Sequence, residues 1–148
     1  MLPALDFPDR VGGRVAKDDG QMALKSTIAA WLSVRGSARA VEFYKAAFGA
    51  EEAYRLEDEN GGVVAKLSVN GAEFWLSDEA PDMGNFSPES IGGGSVRMIL
   101  TVADPDASFA KAVEAGAKVV FPVAEGYGWR LGRVVDPYGH HWEIGREL

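Results

Sequence analysis

Apolar and β-branched side chains first fall into a regular pattern at residues 27–34, Thr-Ile-Ala-Ala-Trp-Leu-Ser-Val, which predicts a strand. Arg35-Gly36-Ser37 breaks that pattern, with Ser37 as a candidate helix N-cap. Behind it Ala40, Phe43 or Tyr44, Ala47 and Phe48 recur at helical spacing, up to a stop at Gly49. Strands are predicted over 52–56, 63–69 and 73–77. Asn60-Gly61-Gly62 and the hairpin dipeptide Asn70-Gly71 separate them. Residues 79–94 then read as a connector, with Pro81, Gly84, Pro88 and Gly92-Gly93-Gly94.

The same order of signals returns after the connector. A strand is predicted over 96–102, with Asp104 as N-cap and Pro105 at the first helical position. The helix 106–115 stops at Gly116, and strands follow over 118–121, 131–135 and 141–144. The repetition is visible in the residues themselves. Phe48-Gly49-Ala50 answers Ala115-Gly116-Ala117, and Gly71-Ala-Glu-Phe-Trp-Leu76 answers Gly139-His-His-Trp-Glu-Ile144. A period of about 68 residues indicates duplicated modules and not a solenoid. The expected fold class is therefore α+β, with two tandem βαβββ modules at about 26–78 and 95–146, in a single domain over 26–148. Residues 1–25 lack any period and read as a weakly specified arm. Each sheet lays one face on its helix. The other face either curls around a hollow or closes on a filled two-layer core, and periodicity alone leaves both open.

Composition narrows the chemistry. The chain has 148 residues, 22 acidic against 15 basic side chains and a net charge of −7. That balance argues against a nucleic-acid backbone binder, which needs an excess of Lys and Arg. The absence of cysteine removes thiol chemistry, disulfides and Cys-based metal sites. Only two histidines exist, so a multi-histidine cluster has little to draw on. No signal-like segment and no run of about 20 apolar residues is present, so the expectation is a cytoplasmic protein with no membrane partner.

Several stretches carry a family resemblance. Trp31-Leu-Ser-Val34, Ser37-Ala-Arg-Ala-Val-Glu-Phe-Tyr44 and Ala47-Phe-Gly-Ala50 resemble the opening of the vicinal oxygen chelate superfamily, which includes glyoxalases, bleomycin-resistance proteins and dioxygenases. Gly71-Ala-Glu-Phe-Trp-Leu-Ser-Asp78, Ser87-Pro88 and Gly93-Gly94-Ser95 extend the match. The ending, Arg130-Leu-Gly-Arg-Val-Val-Asp-Pro-Tyr-Gly-His-His-Trp-Glu-Ile144, resembles the PhnB-like branch. The resemblance covers about residues 26–146. It implies paired βαβββ modules, a curved, barrel-like mixed sheet around a cavity with helices outside, and a homodimer.

In enzymes of that superfamily four side chains, typically His and Glu, hold a divalent metal. The resemblance puts those positions at Ala29, Trp75, Arg97 and Glu143. Ala, Trp and Arg offer no donor at the roughly 2.0–2.6 Å such ions require. The expectation is thus no metal cofactor, with Arg97 and Glu143 either forming an ion pair in the cavity or standing as ordinary exposed strand charges.

The remaining candidates lie near the C-terminus. His140 and His141 are adjacent, so on a strand they face opposite sides, and His141 shares a face with Glu143. His141 and Glu143 are the candidate catalytic groups, with His141 as a base or merely a hydrogen-bonding neighbour. In Glu125-Gly-Tyr-Gly-Trp-Arg130, the rings of Tyr127 and Trp129 beside Arg130 suit planar or anionic ligands, or simply cover a sheet edge. Gly126-x-Gly128-x-x-x-Gly132 misses the dinucleotide spacing, and Gly92-Gly93-Gly94 lacks the Lys of a phosphate loop. The expected function is metal-independent binding of a small aromatic or anionic molecule. Trp75, Arg97 and Glu143 would line the site, with Tyr127, Trp129, Arg130 and His141. The alternative is a metal-dependent lyase, isomerase or dioxygenase.

Overall fold

A computed structural model describes residues 14–18 and 21–148. The strands and helices run in the order β1 (Arg14–Asp18), β2 (Gln21–Leu24), β3 (Trp31–Val34), α1 (Ser37–Phe48), β4 (Glu51–Glu57), β5 (Val63–Val69) and β6 (Ala72–Asp78). A short 3-10 turn (Pro81–Met83) and α2 (Pro88–Ile91) occupy the connector. The second half contributes β7 (Arg97–Thr101), α3 (Pro105–Ala115), β8 (Lys118–Gly126), β9 (Trp129–Val135) and β10 (His141–Glu147). The expected arm lies partly outside the described residues. Within it β1 and β2 pair as antiparallel strands, which the aperiodic sequence does not announce.

The two modules form separate four-stranded sheets of matching order, β3-β6-β5-β4 and β7-β10-β9-β8. In each, the first and last strands of the module pair in parallel and the others antiparallel. The sheets are curved and do not close into a barrel.

Local chemistry explains where the helices begin. Asp104 caps α3, its side chain accepting from the Ala107 amide, and Pro105 opens the helix as expected. For α1 the cap is Gly36 at φ +88°, a left-handed conformation that glycine adopts without a Cβ penalty. Ser37, expected as that cap, is buried one residue further in. Its Oγ accepts from the Val63 amide at 2.8 Å, and its own amide donates to Asp78 Oδ1 at 2.9 Å. The serine thus fastens the helix start to the sheet and leaves capping to the glycine.

The helices α1 and α3 pack against one another as well as on their sheets, so a single core serves both modules. Tyr44 stands at its centre, edge-on to Phe74 at 5.3 Å and 5.6 Å from Trp142. Asp136, in the turn before β10, is buried and receives four donors. The Tyr44 hydroxyl and Trp142 Nε1 (2.9 Å) donate to one oxygen, and the Tyr138 (2.9 Å) and His140 (3.0 Å) amides to the other. Burial and the adjacent Asp136 carboxylate push the Tyr44 hydroxyl well above its ordinary pKa, so it stays a donor. His140 Nε2 reaches back to the Ser33 carbonyl at 2.9 Å, a second tie between modules.

The connector is held by charge. Arg35 Nε donates to Glu79 Oε2 at 2.7 Å and Arg35 Nη2 to Ser90 Oγ at 2.9 Å. Ser90 Oγ and the Ser87 amide (3.2 Å) donate to the other Glu79 oxygen. Hydrogen bonds from Ser90 and Arg35 lower the Glu79 carboxyl from the ordinary 4.5 to about 2. A depressed acid stabilises the fold above its unfolded value, and that contribution fades as the pH falls from 4.5 towards 2. Thermal melts across this window should therefore fall more steeply for the wild type than for Glu79→Gln. Parallel slopes would show that the clip carries no stability.

With both helix-facing sides of the sheets spent on one core, the opposite face of each sheet is left open.

Candidate ligand-binding face

Strand alternation sorts the second sheet. Leu100, Val134, Trp142 and Ile144 are buried on the helix side, so Ile99, Leu131, Arg133, His141 and Glu143 project from the other. Pairing sets these residues in rows across the strands. His141 stands between Arg97 and Val135, Glu143 between Ile99 and Arg133, and Gly145 between Thr101 and Leu131. Phe121 of β8 lies opposite Arg133, and Ala124 opposite Leu131.

Two guanidinium groups converge on one carboxylate. Arg97 Nε lies 2.9 Å from Glu143 Oε1, and Arg133 Nη2 donates to the same oxygen at 2.8 Å. The Glu143 side chain is mostly buried, whereas Arg97 is about half exposed at the sheet edge. The Arg133 guanidinium also lies 5.3 Å from the Phe121 ring centre. Its Nε is buried with no hydrogen-bond partner among the described residues. Two positive charges against one negative leave this trio at a net +1.

Beside the trio runs a groove of about 450 Å³, walled by Ile99, Leu131, Trp129, Tyr127 and Glu143, with Ala124, Glu125 and Gly126 at its border. Tyr127 and Gly128 form the tip of the β8–β9 hairpin, both at positive φ (+54° and +81°). A two-residue turn of that kind matches the strand twist but favours Asn or Gly at its first position. Tyrosine there costs about 1 kcal/mol of backbone strain. Its ring stands fully exposed at the groove's rim.

Not every expected residue reaches this face. Arg130 is corrected: it projects from the opposite side, where Nε and Nη2 each bond Asp106 of α3 at 2.7 Å, with Glu125 at 3.5 Å. That bidentate bond lowers the Asp106 carboxyl and raises the Arg130 guanidinium. The physical reason is parity, because Arg130 is one residue off the period-two set Trp129, Leu131, Arg133. Arg133, which the sequence motifs do not single out, takes the place foreseen for a second cation. Parity counted from Trp129 is the signal that could have found it.

His141 lies on the same face as Glu143, but its Nδ1 is buried without a partner among the described residues, and Glu143 is engaged by the arginines. Nothing in that arrangement orients the imidazole as a base.

Trp75 belongs to the other sheet. It stacks on Trp31 at 5.2 Å and 8°, with Lys66 Nζ 5.6 Å from its ring and Tyr54 at 5.8 Å. The row Trp31–Trp75–Lys66–Tyr54 repeats the row Ile99–Glu143–Arg133–Phe121 strand for strand. Duplication has kept the cation and the flanking ring in both, while the position beside the cation is tryptophan in one module and glutamate in the other.

A divalent metal does not suit this donor set. Of the four positions, Glu143 alone carries an oxygen ligand, and two guanidinium groups already surround it. Among the described residues no group of three or more His, Asp or Glu lies close enough together to hold a metal ion. No helix among them is long and apolar enough to cross a membrane.

Comparison with known proteins agrees with this architecture. A family model described as a glyoxalase-like domain matches residues 29–145. A Mycobacterium tuberculosis protein of uncharacterised function is 37% identical over 146 residues, spanning 94% of this chain and 86% of its own. The crystal structure of an Arabidopsis thaliana gene product superposes with a TM-score of 0.61 at 32% identity, covering 82% of this chain and 97% of that one. TnmS3, an antibiotic-binding protein from Streptomyces sp. CB03234, shares the fold with a TM-score of 0.63 at 22% identity, over 84% and 98% of the two chains. The chain belongs to the family of glyoxalase-like domains.

Proposed function

We propose that this protein binds and sequesters a small, flat, largely apolar molecule in the groove of its second sheet, without a metal and without turning it over. It acts as a homodimer in the cytoplasm. The observation that carries this reading is the open groove of about 450 Å³ with Trp129, Tyr127, Ile99 and Leu131 as its walls. A pocket of that size and apolar lining suits a drug-sized ligand. Three things support it further. Glu143 is neutralised by arginines where an enzyme of the superfamily needs a metal ligand. His141 has no partner that would activate it among the described residues. A protein of the same fold is described as antibiotic-binding. The exposed Trp31, Ile99 and Phe121 leave apolar area on both open sheet faces for a second copy to cover.

Titration of flat two- and three-ring aromatic compounds, followed by tryptophan fluorescence and thermal shift, tests the proposal. Trp129→Ala should weaken binding about tenfold, the worth of one stacked ring. Arg130→Gln should leave it unchanged, because Arg130 serves the other face. Stoichiometric metal held through Glu143 in protein purified without chelator would overturn the reading in favour of an enzyme.

A further inference from the structure

We infer that the ligand is an organic anion, its acidic group seated against Arg97 and Arg133 and its flat body lying along the groove towards Trp129. This rests on the groove reading above and names the ligand's charge and its orientation.

The open face of the second sheet is polarised along its strands. One end holds Arg97 and, three strands across in the same row, Lys118, which pairs in register with Val135. The next row adds Arg133, and the one carboxylate in these two rows is Glu143. Because Glu143 Oε1 accepts from Arg133 and forms an ion pair with Arg97, it cancels one of the two charges. Arg97 turns its Nε to that ion pair and is about half exposed, so the outer edge of its guanidinium can receive a second carboxylate.

The other end has the opposite character. Glu147 stands in register with Trp129, and Glu125 borders the groove. Glu125 pairs in register with Arg130 and meets it at 3.5 Å on the helix side, so the negative charge at this end of the open face comes from Glu147. An acidic head group is repelled from that end and attracted to the first. Between the two lie Ile99 and Leu131, with the glycine row of Gly145 beneath. Four residue steps along β9 separate Arg133 from Trp129, about 13 Å at the rise of an extended strand. That length accommodates a two-ring aromatic acid with its carboxylate at the cationic row and its rings against Leu131 and Trp129.

The test pairs 2-naphthoate with its neutral isostere 2-naphthamide, measured by calorimetry on the intact protein and on Arg97→Gln. Arg97 is a half-exposed residue on an edge strand, and its loss leaves Glu143 paired with Arg133, so the variant keeps its fold. The substitution brings the trio from +1 to neutral. In the wild type the acid should bind about tenfold more tightly than the amide, as one partly solvated charge-assisted hydrogen bond allows. In Arg97→Gln that preference should vanish while amide affinity stays the same. Salt should weaken the acid and leave the amide alone. Equal binding of acid and amide to the wild type, or a preference that survives Arg97→Gln, would overturn the anion inference while leaving the groove reading intact. Failure of both compounds to bind would overturn the groove reading with it.

Discussion

Asp136→Ala should lower the stability of the fold by about 3–5 kcal/mol, the cost of abandoning several buried donors at once. The reason lies in the four hydrogen bonds that end on this carboxylate. Alanine leaves the Tyr44 hydroxyl and Trp142 Nε1 without an acceptor inside the shared core, and it frees the turn that starts β10. For a chain of this length the loss corresponds to a fall of about 10 °C in melting temperature. Asp136→Asn should recover part of it. One oxygen still serves the Tyr138 and His140 amides, but an NH2 group now faces Trp142 Nε1, which cannot accept. Urea denaturation of the three proteins measures the series. A loss within about 0.5 kcal/mol, the range of ordinary surface changes, would mean that the network carries no stability.

Gly145→Ala comes next in size, at about 2–3 kcal/mol of overpacking. A Cβ at this position would lie 2.6 Å from the Arg130 carbonyl oxygen and 2.6 Å from Leu131 Cδ1. The first contact is with backbone, so strands β9 and β10 must separate to relieve it. The second is with a side chain that walls the groove. The variant should therefore lose both stability and affinity for an aromatic ligand, whereas Asp136→Ala, while it remains folded, should lose stability alone. Denaturation and ligand titration on the same samples distinguish the two patterns. Full affinity in Gly145→Ala would indicate that Leu131 does not set the groove's shape.

Much of the architecture is legible in the amino-acid sequence. Val63–Val69 stands within the bounds its β-branched alternation predicts, and Asp104-Pro105 opens α3 where capping chemistry places it. The internal repeat announces two modules of equal topology, which the sheet orders reproduce. Other elements are hidden for definable reasons. The sequence pattern predicts a strand over 118–121 only, with Pro122 next in the chain. The strand runs on to Gly126 because an edge strand loses nothing when a proline lacks its amide hydrogen. That extension carries Ala124, Glu125 and Gly126 to the border of the groove, a part of the site that no strand prediction reaches. The expected Arg97–Glu143 pair forms, but with Arg133 as a third member where the motifs point to Arg130.

The pattern of apolar and polar positions by itself determined which residues share a strand or a helix, and hence the two βαβββ modules. Periodicity is a local property, written in neighbours two or four residues apart. The poverty in histidine and the absence of cysteine likewise determined that few nitrogen and no thiolate metal ligands exist to be gathered. What only the tertiary structure decided is which side of each strand faces the core. That choice depends on α1 and α3 packing together and burying the faces that carry Trp142 and Ile144. Once those faces are spent, parity sends Arg133 outward with Glu143 and turns Arg130 back towards Asp106. A difference of three residues along one strand thereby sets which arginine shares the open face with Glu143.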